Sequence, residues 1–283
     1  MSAVGRALSN TRRRLGAVAW AYGLRLLVAW IVASPIARTL SSSVAAHHPR
    51  GDAVLFDAGG LELVESLRLS MGVLSSELRG ALLIGGVLGW LLLVPAAGLL
   101  SALADPERSG PAEWTRRGVQ LLPRFTLGYG SRLFCQGLLI ALAGVALWLL
   151  EPRLPGSWDE RQKDLVLVAL AMPVLALVYA LGAFEDVLRA ELLGAPSVGA
   201  ALRAALGVAR RRSSALLVGA VSASLCSLAL PIAVAPLVAR IDVSRPETWR
   251  LIAVTLLHQA VVFALVALRA SWLALVLELR SRE

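Results

Sequence analysis

The chain has 283 residues with 28 Lys/Arg against 19 Asp/Glu, a net charge of +9; hydrophobic residues make up 57% of it, and its mean hydropathy is +0.71. A water-soluble domain carries roughly 45–50% apolar residues, so this composition excludes an ordinary soluble globule and points to the lipid bilayer. The basic pI alone would suit a nucleic-acid binder, but the arginines sit at the ends of apolar runs rather than in one patch, and nucleic acid is excluded as a partner on that ground.

The first segment places Val4, Leu8, Leu15 and Val18 at helical spacing beside Arg12, Arg13 and Arg14, the pattern of an amphipathic helix lying along a membrane surface. The apolar run at 17–37 follows, opening on Tyr22-Gly23-Leu24-Arg25-Leu26. Arginines ahead of an apolar run imitate a secretory signal, but this run is too long for a cleaved segment and others follow it, so an uncleaved first span is expected. The stretch at about 41–80 is expected to be an outer loop holding an amphipathic helix, capped by Asp57 and carrying Leu61, Val64, Leu67, Met71, Leu74 and Leu78 on one face. His47, His48, Asp52 and Asp57 in that loop are residue types that bind metals, but adjacent residues rarely share one ion, and no metal site is expected.

A second span is expected at 81–104. Trp114, Gly118, Leu121, Leu122 and Phe125 then define another amphipathic face, and Tyr129-Gly130-Ser131-Arg132-Leu133 repeats the earlier phrase at the start of a third span, 129–150. After a short connector with Pro152 and Pro155 come a fourth span at 165–184, a third amphipathic face at Val198, Leu202, Ala205, Leu206 and Ala209, and spans at 215–238 and 251–268. Each is close to the ~20 residues needed to cross a hydrocarbon core of ~30 Å. None alternates with period two, so closed-barrel strands are excluded and the expected fold is an all-α, polytopic membrane protein with six transmembrane helices, one membrane domain over 1–283. Pro95, Pro173, Pro231 and Pro236 are expected to interrupt their spans. Three units share one plan: an interfacial helix, a span out, a span back. Val4–Leu8 and Val198–Leu202 even share Val-Gly-x-Ala-Leu, offset by 194 residues.

With six spans both ends lie on one side. Seventeen of the basic residues and eight of the acids fall on that side, ten and eleven on the other, and positively charged segments stay cytoplasmic. Both termini are therefore expected in the cytoplasm. Cys135 and Cys226 fall within spans, and no disulfide is expected between them.

Few side chains suggest chemistry. An arginine within a span is a functional hypothesis by default, which singles out Arg25 and its repeat Arg132; anchoring and helix packing are the plainer roles, ligand or counter-ion binding the sharper one. Glu185, Asp186 and Arg189 close the fourth span, and Glu185 and Arg189, four apart, are placed to form an ion pair on one helix face. Glu185-Asp186-x-x-Arg189 resembles the Glu-Glu-x-x-x-Arg motif of CAAX-type intramembrane proteases, one residue short. That family also needs histidines on neighbouring helices, and His258, eight residues into the sixth span, is the one histidine within a span here. With no converging nucleophile, base and electrophile, an enzyme is not expected, and no cofactor is implied.

Asp186-Val187-Leu188-Arg189-Ala190-Glu191-Leu192, followed by Ser197-Val198-Gly199-Ala200-Ala201-Leu202 and a sixth span ending Leu268-Arg269-Ala270-Ser271-Trp272, resembles the six-span bacterial proteins related to the membrane domain that accompanies glycerophosphodiester phosphodiesterases. The resemblance implies a bacterial inner-membrane protein with no catalytic residues of its own. The expectation is a non-catalytic protein that engages anionic membrane lipid, a partner protein or a second copy of itself through its basic interfacial helices. A small-solute transporter or channel, with its pathway at the fourth and fifth spans, is the alternative.

Overall fold

The computed structural model describes residues 3–41, 68, 71–105, 110–155, 158–241 and 248–281. Among them there is no strand. The helices are α1 (Ala3–Arg13), α2 (Leu15–Ser41), α3 (Met71–Leu91), α4 (Leu93–Ala104), α5 (Pro111–Leu150), α6 (Glu160–Leu192), α7 (Val198–Arg211), α8 (Ser213–Ala239) and α9 (Thr248–Arg280), with a 3₁₀ turn at Glu151–Arg153. Six spans are long and apolar enough to cross a membrane, α3 and α4 together making the second. The protein is an all-α polytopic membrane fold. The expected loop histidines, the Asp57 cap and most of the expected outer helix lie outside the described residues; the second span's helix begins at Met71.

Local chemistry sets the ends of the elements. Asp159 caps α6 by accepting from the Gln162 amide at 2.7 Å, while the Gln162 side chain accepts from the Asp159 amide. Ser197 caps α7 in the same way through the Ala200 amide. Of the four prolines expected to break spans, Pro95 alone sits beside an interruption, at Leu92; α6 runs unbroken past Pro173, and α8 past Pro231 and Pro236. Transmembrane helices tolerate proline because neighbouring groups satisfy the freed carbonyl.

The three units assemble into a ring. Within each, the outward and return spans pair: α2 with α3, α5 with α6, α8 with α9. Between units, each return span packs on the next interfacial segment: α4 on the first half of α5, α6 on α7, and α9 back on α1. Arg6 of α1 meets Glu278 of α9 at 2.9 Å, and Asn10 donates to the Leu103 carbonyl of α4 at 3.0 Å. The described stretches nearest the two chain termini thus share one end of the bundle, called here the near end. At the α4–α5 junction glycine permits the closest approach: a Cβ on Gly118 would stand 2.3 Å from the Val94 carbonyl oxygen, and one on Gly98 2.6 Å from that of Trp114.

The buried core is concentrated at the near end, where Leu99, Leu100, Phe125, Val187, Leu192, Val208 and Val276 are almost wholly enclosed. Farther out, Leu83, Phe134, Ile140, Trp148, Leu175, Leu217, Ile232 and Leu256 stay exposed. Burial against protein gains hydrophobic free energy where water is the alternative, about 1.5–3 kcal/mol per large side chain, but not where lipid tails are the alternative.

The short helices α1 and α7 follow the same logic. On α1 the side chains turned into the bundle are Ala7 and Thr11, while Val4 (55% exposed) and Leu8 (52%) face away. On α7, Ala201, Ala205 and Val208 are buried, and Leu202 and Leu206 face away. Small residues let these helices sit close to the return spans, and the bulky ones are left for lipid. The 194-residue offset matches Ala7 with Ala201 and Leu8 with Leu202, so equivalent positions share the same burial. The expected face of α5 packs inward at Trp114, Gly118, Leu121 and Phe125.

Candidate functional site

Toward the near end of the bundle α6 carries two adjacent acids, both almost completely buried: Glu185 at 2% exposure and Asp186 at 1%. Successive residues on a helix point about 100° apart, so each acid meets a different neighbour. Glu185 faces α5, where Arg132 Nη1 lies 2.5 Å from its Oε2. Asp186 faces α9: Arg269 Nη2 donates to Oδ1 at 2.5 Å and the Trp272 indole N–H to Oδ2 at 2.7 Å. Arg189 joins the two halves, donating to Glu185 Oε1 at 2.5 Å with its second terminal nitrogen 3.9 Å from Asp186 Oδ1.

Aromatic faces support the cations. Arg132 lies 5.1 Å from the centre of the Tyr129 ring and Arg189 5.8 Å from that of Phe125. Tyr22, which matches Tyr129 in the repeated phrase, instead donates to the Gln259 side chain at 2.6 Å and packs edge-on against Phe263. Arg25 is half-buried and close enough to Arg269 and Arg189 to feel their charges, yet forms no ion pair with an acid among the described residues. Three guanidiniums therefore meet two carboxylates, with Arg25 nearby. The Arg132–Glu185 contact has the distance of an ion pair but not the angle of a hydrogen bond, so Glu185 Oε2 and the buried Nε groups of Arg132 and Arg189 make no hydrogen bond.

Between α5, α6, α8 and α9, on the outward side of this cluster, lies a cleft of 410 Å³. Arg132, Asp186, Arg269 and Trp272 form its charged end, and Gln136, Tyr179, Ser224 and Ser227 line it alongside apolar Leu175, Val178 and Leu268. Several of the polar groups are already engaged: Gln136 donates to the Val178 carbonyl at 2.7 Å, and the Tyr179 hydroxyl contacts the Ala220 carbonyl and Ser224 Oγ. A second, wider cleft of 800 Å³ at the near end is edged by Arg6, Arg13, Arg14 and Arg280. There Arg280 Nη1 donates to the Ala190 carbonyl at 2.8 Å and Nε lies 3.3 Å from Glu191, placing a cation at the carboxyl end of α6.

Of the six residues singled out in the sequence, five lie in or beside the cluster: Arg25, Arg132, Glu185, Asp186 and Arg189. The sixth, His258, is exposed on α9, eleven residues and ~16 Å of helix rise from Arg269. It therefore supplies no histidine beside the acids of the protease-like motif. Sequence reasoning missed Arg269 and Trp272 as partners of Asp186, and the cleft as a whole. A signal was available in depth: Arg25 and Arg132 lie near the start of outward spans, Glu185, Asp186 and Arg269 near the end of return spans, so all five belong to one level. No protein-family model, curated protein or solved structure matches this chain.

Proposed function

We propose that this is a non-catalytic integral protein of the bacterial inner membrane, with both termini in the cytoplasm, that engages anionic lipid through its basic interfacial helices. The observation that carries this reading is the composition of the free faces of α1 and α7. Val4, Leu8, Leu202 and Leu206 are exposed beside exposed Arg12, Arg13, Arg210 and Arg211, apolar side chains for the acyl boundary next to cations for headgroups. Each such cation contributes ~1 kcal/mol near an anionic surface. A partner protein or a second copy of the chain would meet the same face. The resemblance to the phosphodiesterase-associated membrane domain supports the same class.

The test is native mass spectrometry of the full chain released from nanodiscs of mixed phosphatidylglycerol and phosphatidylcholine. Enrichment of phosphatidylglycerol, reduced when Arg12, Arg13, Arg210 and Arg211 are replaced by Gln, is the expected result. Equal retention of both lipids by the parent protein would sink the reading. A second reading, a small-solute transporter or channel, draws on the cleft beside α6 and α8; stoichiometric recovery of a soluble ligand with the purified protein would favour it.

A further inference from the structure

The geometry points to a distinct binding site in the cleft between α5, α6, α8 and α9: we propose that it holds the phosphate of an anionic lipid between Arg132 and Arg269. This goes beyond the surface engagement proposed above, because it uses none of the arginines of α1 or α7.

Charge is the first argument. Arg132, Arg189 and Arg269 pair with Glu185 and Asp186, and Arg25, close to Arg269 and Arg189, has no acid of its own among the described residues. An excess of two cations at the edge of a low-dielectric region attracts an anion. Available donors are the second argument. Arg132 places Nη1 on Glu185 and Arg269 places Nη2 on Asp186, while their side chains remain 23% and 38% exposed. Both residues line the cleft, and two guanidiniums suit the several oxygens of one phosphate.

Depth and lining identify the source of that phosphate. From Arg132 to Leu150, and from Arg250 to Arg269, the helices rise ~27–29 Å, about one hydrocarbon thickness. The arginines therefore stand at the boundary where lipid phosphates lie. Beside them Leu175, Val178 and Leu268 offer an apolar wall, while Ser224 and Ser227 add hydroxyls. A wall of this kind suits an acyl chain and gains nothing from a free inorganic ion.

The experiment follows thermal unfolding of the full chain in neutral detergent. The probes are short-chain phosphatidic acid, the phosphatidylcholine of equal chain length, and inorganic phosphate. Phosphatidic acid is expected to raise the transition temperature saturably, with apparent affinity at least about tenfold above phosphatidylcholine, a difference of ~1.4 kcal/mol. Ser227→Phe fills the cleft without touching the ion pairs and is expected to abolish that stabilisation while the unliganded protein unfolds as before. Arg25→Gln orphans no acid and is expected to weaken it severalfold. If Arg12, Arg13, Arg210 and Arg211 are replaced by Gln, the saturable effect should persist, which separates this site from the surface. Equal effects of phosphatidic acid on the parent and Ser227→Phe proteins would overturn the proposal. So would a response to inorganic phosphate matching that to the lipid.

Discussion

Arg269 and Asp186, 83 positions apart in the chain, meet at 2.5 Å where the last helix crosses the end of the fourth span. The contact ties the return spans of the second and third units together, and Trp272 one turn later secures the same carboxylate. Removing Asp186 leaves the buried Trp272 indole N–H without its acceptor and Arg269, 38% exposed, without its partner.

Asp186→Ala is therefore expected to destabilise the protein by about 1–3 kcal/mol, and Asp186→Asn by less because the amide oxygen still accepts from Trp272. Thermal unfolding in detergent measures both. In a double-mutant cycle, adding Arg269→Gln to Asp186→Ala should cost less than the two single losses together; strict additivity would show that the pair is not coupled.

Gly118 and Gly98 set the spacing of α4 and α5. Gly118→Ala places a methyl against the Val94 carbonyl and is expected to cost about 1–3 kcal/mol. Gly144→Ala, with nothing within 4 Å, gains up to ~1 kcal/mol of helix propensity. Opposite shifts in transition temperature for the two variants check the α4–α5 contact.

Closure of the ring between α9 and α1 can be tested by charge exchange. Arg6 and Glu278 are partly exposed, so the pair is worth under ~1 kcal/mol. Arg6→Glu should raise hydrogen exchange across α1, and Arg6→Glu with Glu278→Arg should restore protection. Unchanged exchange in the single variant would show that α1 is held without this ion pair.

The two faces of α7 should respond differently. Ala201→Leu overpacks the α6–α7 contact and is expected to lower thermal stability by about 1–3 kcal/mol. Leu202→Asp, on the exposed face, should leave the folded bundle intact and increase hydrogen exchange of α7 in nanodiscs. A large loss of thermal stability in Leu202→Asp would reverse the assignment of the two faces.

Much of the architecture was legible in the sequence because its causes are local. Apolar run length marks six spans, period-3.6 patterning marks α1 and α7, and the four-residue spacing of Glu185 and Arg189 anticipates their ion pair. The prolines were less informative, since a membrane helix can absorb a missing amide that would break a soluble one.

Tertiary structure alone decided which faces pack, which helices meet and what surrounds the acids. Hydrophobicity cannot tell Ala7 from Leu8, or Ala201 from Leu202, as the inward residue, because lipid and protein interior are both apolar and close packing of small side chains makes the choice. Likewise, the convergence of Arg132, Arg269 and Trp272 on two adjacent carboxylates depends on α9 folding back to α1 across almost the whole chain. Each residue's polarity is written locally; its partner is set by long-range helix pairing.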